Sequence, residues 1–377
     1  MIDTRKHLPL IAAALLVVLP ALALGCGGGG DEGRQAGPPA GAPQPDFFGL
    51  VSEDVYAGGH AYRERTLTRE REAGVGLLRQ TFDWKQIERS PGQYDFSYYD
   101  GYVSEAAAHG MRVLAILFDP PPFRSSAPIR GARRGTYPPR SPQDLADFGA
   151  VLARRYGPDG SFWKEHPGLR RVPIRSWQVW NEPNLPVYWP SGPDPLAYVQ
   201  LLRATGRAIK RVDPAAEIVG AGLSQSRLGM PFRTFVSGMF HAGAADTLDT
   251  FALHPFARDA GGAIDAVEST RELLHALGEQ TPIWITEFSW ASGGPPSPFT
   301  LGERGQARNV QEAMEAFVRR RRELGIRGAI YFNWRDSKPY AGGHDFWGLH
   351  TGLLRKDGSA KPVLEVFKRE AALTPSG

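Results

Sequence analysis

Residues 176–184 read Ser-Trp-Gln-Val-Trp-Asn-Glu-Pro-Asn. The stretch is rich in aromatic and β-branched side chains and stops at a proline, the pattern of a short buried strand that runs into a turn. Its last polar residue before the proline is Glu182. Outward from it in both directions the chain repeats one unit: a short apolar run, a turn-rich segment, then a segment of helical periodicity. Eight such runs can be drawn, at 47–51, 75–81, 112–118, 176–181, 217–221, 250–254, 282–287 and 329–333. Most are apolar on both faces, as parallel strands are when helices cover them outside and packed side chains fill the space within. The reading predicts an α/β chain folded as a (β/α)8 TIM barrel. An open doubly wound sheet is the alternative, and its nucleotide-binding form is weakened because no Gly-rich loop follows the first run.

The helical segments are clearest at 143–156, where Leu145, Phe148, Leu152 and Tyr156 share a face, and at 195–212, where Leu202, Ile209 and Val212 do before Asp213-Pro214 stops the helix. A third, 305–324, turns Val310, Met314, Phe317 and Leu324 inward and the run Arg319 to Arg322 outward as a solvated face. With 377 residues, 42% hydrophobic and 22% charged, the chain can bury one large core, and barrels of this type use about 250 residues or more as a single domain. One catalytic domain over 47–373 is expected, acting as a monomer. The formal charge is only +4 and the basic residues are dispersed, so no nucleic-acid partner is expected.

The N-terminus reads as an address. Arg5 and Lys6 precede an apolar run from Leu8 to Leu24 that ends in small residues, the layout of a bacterial export signal. The single cysteine, Cys26, follows Gly25 at the end of that run, which excludes an intrachain disulfide. Residues 1–26 resemble a lipoprotein signal, which implies cleavage before Cys26 and its lipidation; Leu24 and Gly25 suit that pattern, while Ala23 stands where leucine is usual. Ordinary cleavage after Ala21-Leu22-Ala23 is the alternative and leaves a soluble protein with a free thiol. Export follows either way: a secreted protein is expected, at the cell surface and held by a lipid anchor on the outer face of the cytoplasmic membrane. Residues 27–46 are nearly all Gly, Pro, Ala and charge, and read as a flexible tether.

Barrels place their chemistry at the C-terminal ends of strands, so the polar residues that close apolar runs are the candidates. Glu182 closes the fourth run, and Glu287 closes the seventh, in Ile283-Trp284-Ile285-Thr286-Glu287-Phe288. Two carboxyls across a barrel mouth are what glycoside hydrolysis needs: one protonates the leaving oxygen while the other attacks or stabilises the oxocarbenium-like centre. Neither glutamate is decisive alone, since a strand-end carboxylate is as often a surface residue.

Together, and in this order, they resemble clan A retaining glycoside hydrolases, families 5 and 39 above all, over about residues 47 to 367. The fourth strand of those enzymes ends in Asn-Glu-Pro with the acid/base, and the seventh in the nucleophile. The resemblance implies a catalytic pair, Glu182 as general acid/base and Glu287 as nucleophile. It implies substrate-side roles for Arg79, which steadies the nucleophile, Asn181, which bonds the sugar 2-hydroxyl, His254 at the end of the sixth run, and Trp334, which floors the central subsite and is often followed by a non-proline cis peptide. Phe256 departs from the pattern: a tyrosine often stands near this place to hydrogen-bond the nucleophile, and phenylalanine cannot.

Aromatic residues crowd the segments after the runs: Trp84, Tyr188, Trp189, Trp290, Tyr340, Phe346 and Trp347. Sugar rings stack on such side chains, so Trp84, Trp189, Trp290 and Trp347 are candidate subsite platforms, with Trp189 and Trp347 preferred, although each is as readily a loop anchor. They favour endo cleavage of a β-linked polysaccharide over exo release of one sugar. A basic loop carrying Arg124, Arg130, Arg133, Arg134 and Arg140 would suit an acidic glycan, but a solvated loop is the commoner meaning. The expected partner is a carbohydrate, with no cofactor and no metal, because of the nine histidines only His254 closes a run. A non-catalytic glycan-binding lipoprotein is the main competitor, and a metal-dependent barrel hydrolase a weaker one.

Overall fold

The computed structural model describes residues 47–53, 55, 58–128, 135–339 and 343–372. The export signal, Cys26, the tether, Arg130, Arg133, Arg134 and Tyr340 lie outside the described residues. Eight parallel strands alternate with eight main helices: β1 (Phe48–Val51), α1 (His60–Glu72), β2 (Leu77–Asp83), α2 (Ser97–Ala108), β3 (Arg112–Phe118), α3 (Pro142–Tyr156), β4 (Ser176–Val179), α4 (Pro195–Val212), β5 (Glu217–Val219), α5 (Phe232–His241), β6 (Phe251–His254), α6 (Ala260–Ala276), β7 (Ile283–Phe288), α7 (Gly302–Leu324), β8 (Ile326–Phe332) and α8 (Pro362–Ala372).

The first and last strands pair in parallel, Phe48 with Ala329 through Val51 with Phe332. The sheet closes on its other side between β5 and β6, where Val219 bridges Thr250 and the Gly220 N–H donates to the Thr250 carbonyl at 3.0 Å. The fifth strand breaks after Val219 and resumes at Leu223–Ser224, which pairs with Leu253 and His254 of β6. The chain is therefore a closed (β/α)8 barrel, as the eight-unit pattern predicts, and not an open sheet.

Period-two alternation sorts the side chains into two cores. Val51, Leu77, Leu114, Val219, Ala252, Trp284, Ile330 and Phe332 form the apolar cluster inside the barrel, while Leu50, Leu78, Val179, Leu253 and Ile285 pack outward with the helices. Several helix starts follow from local chemistry: Asp194 accepts from the N–H groups of Leu196 and Ala197 ahead of Pro195, and Ser141 accepts from Gln143 ahead of Pro142. Each such cap contributes about 1 kcal/mol. Helix α7 ends at Gly325, whose φ of 62° is a left-handed conformation that glycine adopts without steric cost.

The N-terminal end of the barrel is sealed by an ion pair. Arg327 donates to both carboxylate oxygens of Glu217 at 2.7 and 2.8 Å and lies over the Trp284 ring, 4.0 Å from its centroid. This is the end that serves stability in such barrels; the opposite end is free for chemistry.

Candidate active site

Every candidate carboxylate sits at the C-terminal end because the backbone bends there. After β4, Trp180 has φ 74° and Glu182 φ 41°, left-handed values that cost a non-glycine residue about 1–3 kcal/mol. Two backbone bonds hold the bend: Trp180 N–H donates to the Leu117 carbonyl at 3.2 Å, and Glu182 N–H to the Ala221 carbonyl at 2.7 Å. The second of these uses a carbonyl in the interruption of the fifth strand, so the gap that breaks the ladder also seats Glu182. At β7 the register against β8 runs from Ile285–Ala329 to Phe288–Tyr331, three residues against two. The bulge lets Thr286 and Glu287 both face the barrel while Phe288 packs outward with Phe317 and Tyr331.

Arg79 of β2 organises the mouth. It is 2% exposed, and its guanidinium donates to Glu287 Oε1 at 2.5 Å, Asn181 Oδ1 at 2.8 Å and Gln178 Oε1 at 2.9 Å. Gln178, fully buried, passes its own N–H to the Trp180 carbonyl at 3.1 Å, which fixes the arginine to the bend after β4. On the other side His254 Nδ1 lies 2.9 Å from Glu182 Oε1 and 3.7 Å from Glu287 Oε2, and its Nε2 lies 3.0 Å from Thr286 Oγ1. Gly222, with φ 61°, leaves room for the imidazole: a Cβ there would lie 2.2 Å from His254 Nε2.

The electrostatics separate the two carboxyls. Burial, with the neighbouring Glu287 charge adding to it, pushes Glu182 well above the usual glutamate range against the pull of Arg79. Burial raises Glu287 too, but Arg79 opposes it by charge and by hydrogen bond. Burial, then the Arg79 charge, hold His254 well below its usual range, so the imidazole is neutral. Glu182 is thus raised the further of the two, and Arg79 restrains the rise at Glu287. The adjoining cavity opens to solvent, and its lining includes Glu53, Arg79, Asn181, Tyr188, Glu287 and Phe332.

No family model matches the chain, and no curated protein matches it in sequence. Solved structures do match in shape. A family 39 glycoside hydrolase from the gut symbiont Bacteroides cellulosilyticus superposes with a TM-score of 0.60 at 19% identity, covering 88% of this chain and 64% of that one. A glucosidase from Croceicoccus marinus gives 0.64 at 18%, covering 89% and 69%. A family 39 β-xylosidase from Caulobacter crescentus gives 0.61 at 21%, covering 89% and 73%. The fold is that of the clan A glycoside hydrolases. The chain spans less than two thirds of the length of the Bacteroides enzyme.

Within this clan A barrel the structure brings Glu182, Glu287, Arg79, Asn181 and His254 together, and it leaves most of the expected aromatic residues elsewhere. Trp84 is fully buried, stacked on Phe148 at 5.0 Å and donating its N–H to Glu88. Trp290 is 1% exposed and donates to the Ala257 carbonyl, and Trp189 is 4% exposed against Trp180. These three rings anchor loops, because the apolar area they bury there stabilises the fold more than an open face would. Trp334 is also packed away: it is 2% exposed and lies under the Arg69 guanidinium of α1. Phe332, two residues earlier and facing inward, lines the cavity in its place, and the cis bond stands between Phe332 and Asn333. Trp347 remains half-buried at the mouth, against Phe256 and Phe299, with Phe346 also half-buried beside it in sequence.

Sequence reasoning passed over Gln178 and Thr286, which are fully buried, and Glu53 and Phe332, which line the cavity. Gln178 and Thr286 carried a signal, since each is a polar residue at an inward position of an otherwise apolar strand. Tyr188 lines the cavity; burial, and then the Glu182 and Glu287 charges, raise it well above the usual tyrosine range, so its hydroxyl keeps its proton. Of the basic loop, Arg124 is spent on Glu88 and Asp144 and Arg140 on the Ser125 carbonyl. Among the described residues no group of three His, Cys, Asp or Glu is placed to hold a metal ion.

Proposed function

We propose that the chain is a retaining glycoside hydrolase that cleaves β-linked glycans in two displacements. The observation that carries the reading is the pair Glu182 and Glu287, both in contact with one histidine at the mouth of a clan A barrel, with Arg79 bound to only one of them. Glu287, kept towards its anion by Arg79, attacks the anomeric carbon; Glu182, kept protonated by burial, delivers its proton to the departing oxygen. In the second displacement Glu182, now a carboxylate, takes a proton from water and the water carbon–oxygen bond replaces the glycosyl ester. Asn181, fixed by Arg79, presents its amide N–H groups to the sugar, and Phe332 and Tyr188 enclose the ring.

Exo release of a single terminal sugar is favoured over endo cleavage. The endo expectation rested on an open row of tryptophans, and Trp84, Trp189 and Trp290 are buried in loop packing. Among the similar structures are proteins described as a glucosidase and a β-xylosidase, which points to a neutral monosaccharide as the released unit. The surface anchor through Cys26 and export belong to this proposal and place the enzyme where it meets extracellular glycans.

Incubation with a panel of aryl β-glycosides, followed by proton NMR, tests the reading. The first-formed hemiacetal should be the β-anomer. Activity should follow a bell in pH, falling on the acidic side as Glu287 protonates and on the alkaline side as Glu182, raised by burial, ionises. An α-anomer as first product, or no hydrolysis of any glycoside, would defeat it.

A further inference from the structure

We propose that Thr286 is a positioning residue: its hydroxyl donates to His254 Nε2, which places the imidazole proton on Nδ1, directs it to Glu182 Oε1, and leaves Oε2 as the oxygen that exchanges a proton with the substrate. The inference rests on the glycosidase reading for its consequence in catalysis, and on hydrogen-bond accounting for its chemistry.

Thr286 and His254 are both fully buried, and the 3.0 Å contact between Oγ1 and Nε2 is the hydroxyl's one hydrogen bond among the described residues. A buried hydroxyl that fails to donate loses its hydration without replacement, so its hydrogen goes to the only partner present. Nε2 is then an acceptor. A neutral imidazole carries a single N–H, which stands on Nδ1, 2.9 Å from Glu182 Oε1. The groups that face this ring are Glu182 from the end of β4, Glu287 of β7 at 3.7 Å and the Arg79 cation of β2. Burial and that cation keep the ring neutral, so it orients the proton of Glu182 and does not compete for it.

The opposite tautomer would waste the acid. With the hydrogen on Nε2, Nδ1 would accept a proton carried on Glu182 Oε1, turned away from the leaving group. In the arrangement assigned here Oε1 accepts from Nδ1–H in both displacements, before and after Glu182 gives up its proton. Glu182 keeps about a tenth of its side chain exposed, so Oε2 is the oxygen left for substrate. The bulge that turns Thr286 inward beside Glu287 thereby serves the acid as well as the nucleophile.

Two measurements on the full chain test this. Nitrogen NMR of ¹⁵N-histidine-labelled protein, with the His254 signals identified by their loss in His254→Gln, should show a protonated Nδ1 and an unprotonated Nε2; the reverse pattern overturns the proposal. Thr286→Val keeps the shape but removes the donor, so the two tautomers become comparable. It should lower kcat for a phenyl glycoside on the order of tenfold, a part of the roughly 10²–10⁴ supplied by general acid catalysis, with KM unchanged. A dinitrophenyl glycoside, whose first displacement needs no protonation, should keep its kcat/KM, and Thr286→Ser should restore phenyl-glycoside turnover. Equal loss on both substrates, no loss on either, or failure of Ser to rescue would overturn it. A wild-type chain that cleaves no glycoside would defeat the glycosidase reading instead, and the imidazole signals would still decide the tautomer.

Discussion

Glu287→Gly is expected to lower kcat by on the order of 10⁵ or more, the scale seen when a nucleophile that acts in a unit is removed. Glu287 is the carboxylate that receives the Arg79 guanidinium at 2.5 Å, and Asn181 hangs from the same guanidinium at 2.8 Å. No neighbouring oxygen takes over its place, because Glu182 is turned by its left-handed backbone onto His254. The glycine leaves a cavity beside a buried cation, which suits a small anion. Azide should therefore enter, displace an activated aryl leaving group directly and yield a glycosyl azide of inverted configuration. Rescue that gave retained configuration would mean that Glu287 is the acid/base.

Glu182→Ala should give the complementary result. Removing the acid should cost about 10²–10⁴ in kcat/KM on a substrate with a poor leaving group and far less in kcat/KM on a dinitrophenyl glycoside, for which the glycosyl-enzyme still forms at Glu287. That intermediate should then accumulate, since the base that activates water has gone. Azide needs no base, so it should speed turnover and give a glycosyl azide of retained configuration. The alkaline limb of the pH profile, assigned to the raised Glu182, should disappear in this variant. Wild-type rates on every substrate would show that the carboxyl at 182 does no chemistry.

The barrel was legible because its strands are short runs apolar on both faces and its helices carry period-3.6 stripes, and both patterns come from burial on a closed sheet. Strand boundaries were less so: β2 runs from Leu77 to Asp83, two residues beyond the drawn run, and the fifth strand breaks at Val219 where the apolar sequence continues to Ala221. At that break Ala221 gives its carbonyl to Glu182, a contact between distant segments that no local pattern encodes. Glu182, Glu287 and His254 were visible as polar residues closing apolar runs, whereas Arg79 and Asn181 followed from the resemblance to clan A enzymes. The aromatic platforms were not, because a tryptophan after a strand looks the same in sequence whether it faces sugar or packs under its own loop. Trp334 shows the sharpest case. Alternation along β8 puts Ile330 and Phe332 inward and Tyr331 outward, so the floor of the cavity falls to Phe332.

The most direct test of the central claim is covalent trapping with an activated 2-deoxy-2-fluoro β-glycoside of the sugar that the wild-type chain cleaves. The fluorine slows both displacements and the good leaving group restores the first, so the glycosyl-enzyme accumulates. Peptide mapping by mass spectrometry should find one sugar per chain, esterified to Glu287. A label on Glu182 or another residue, or hydrolysis of the parent glycoside with no covalent adduct and inversion at the anomeric carbon, would contradict the account.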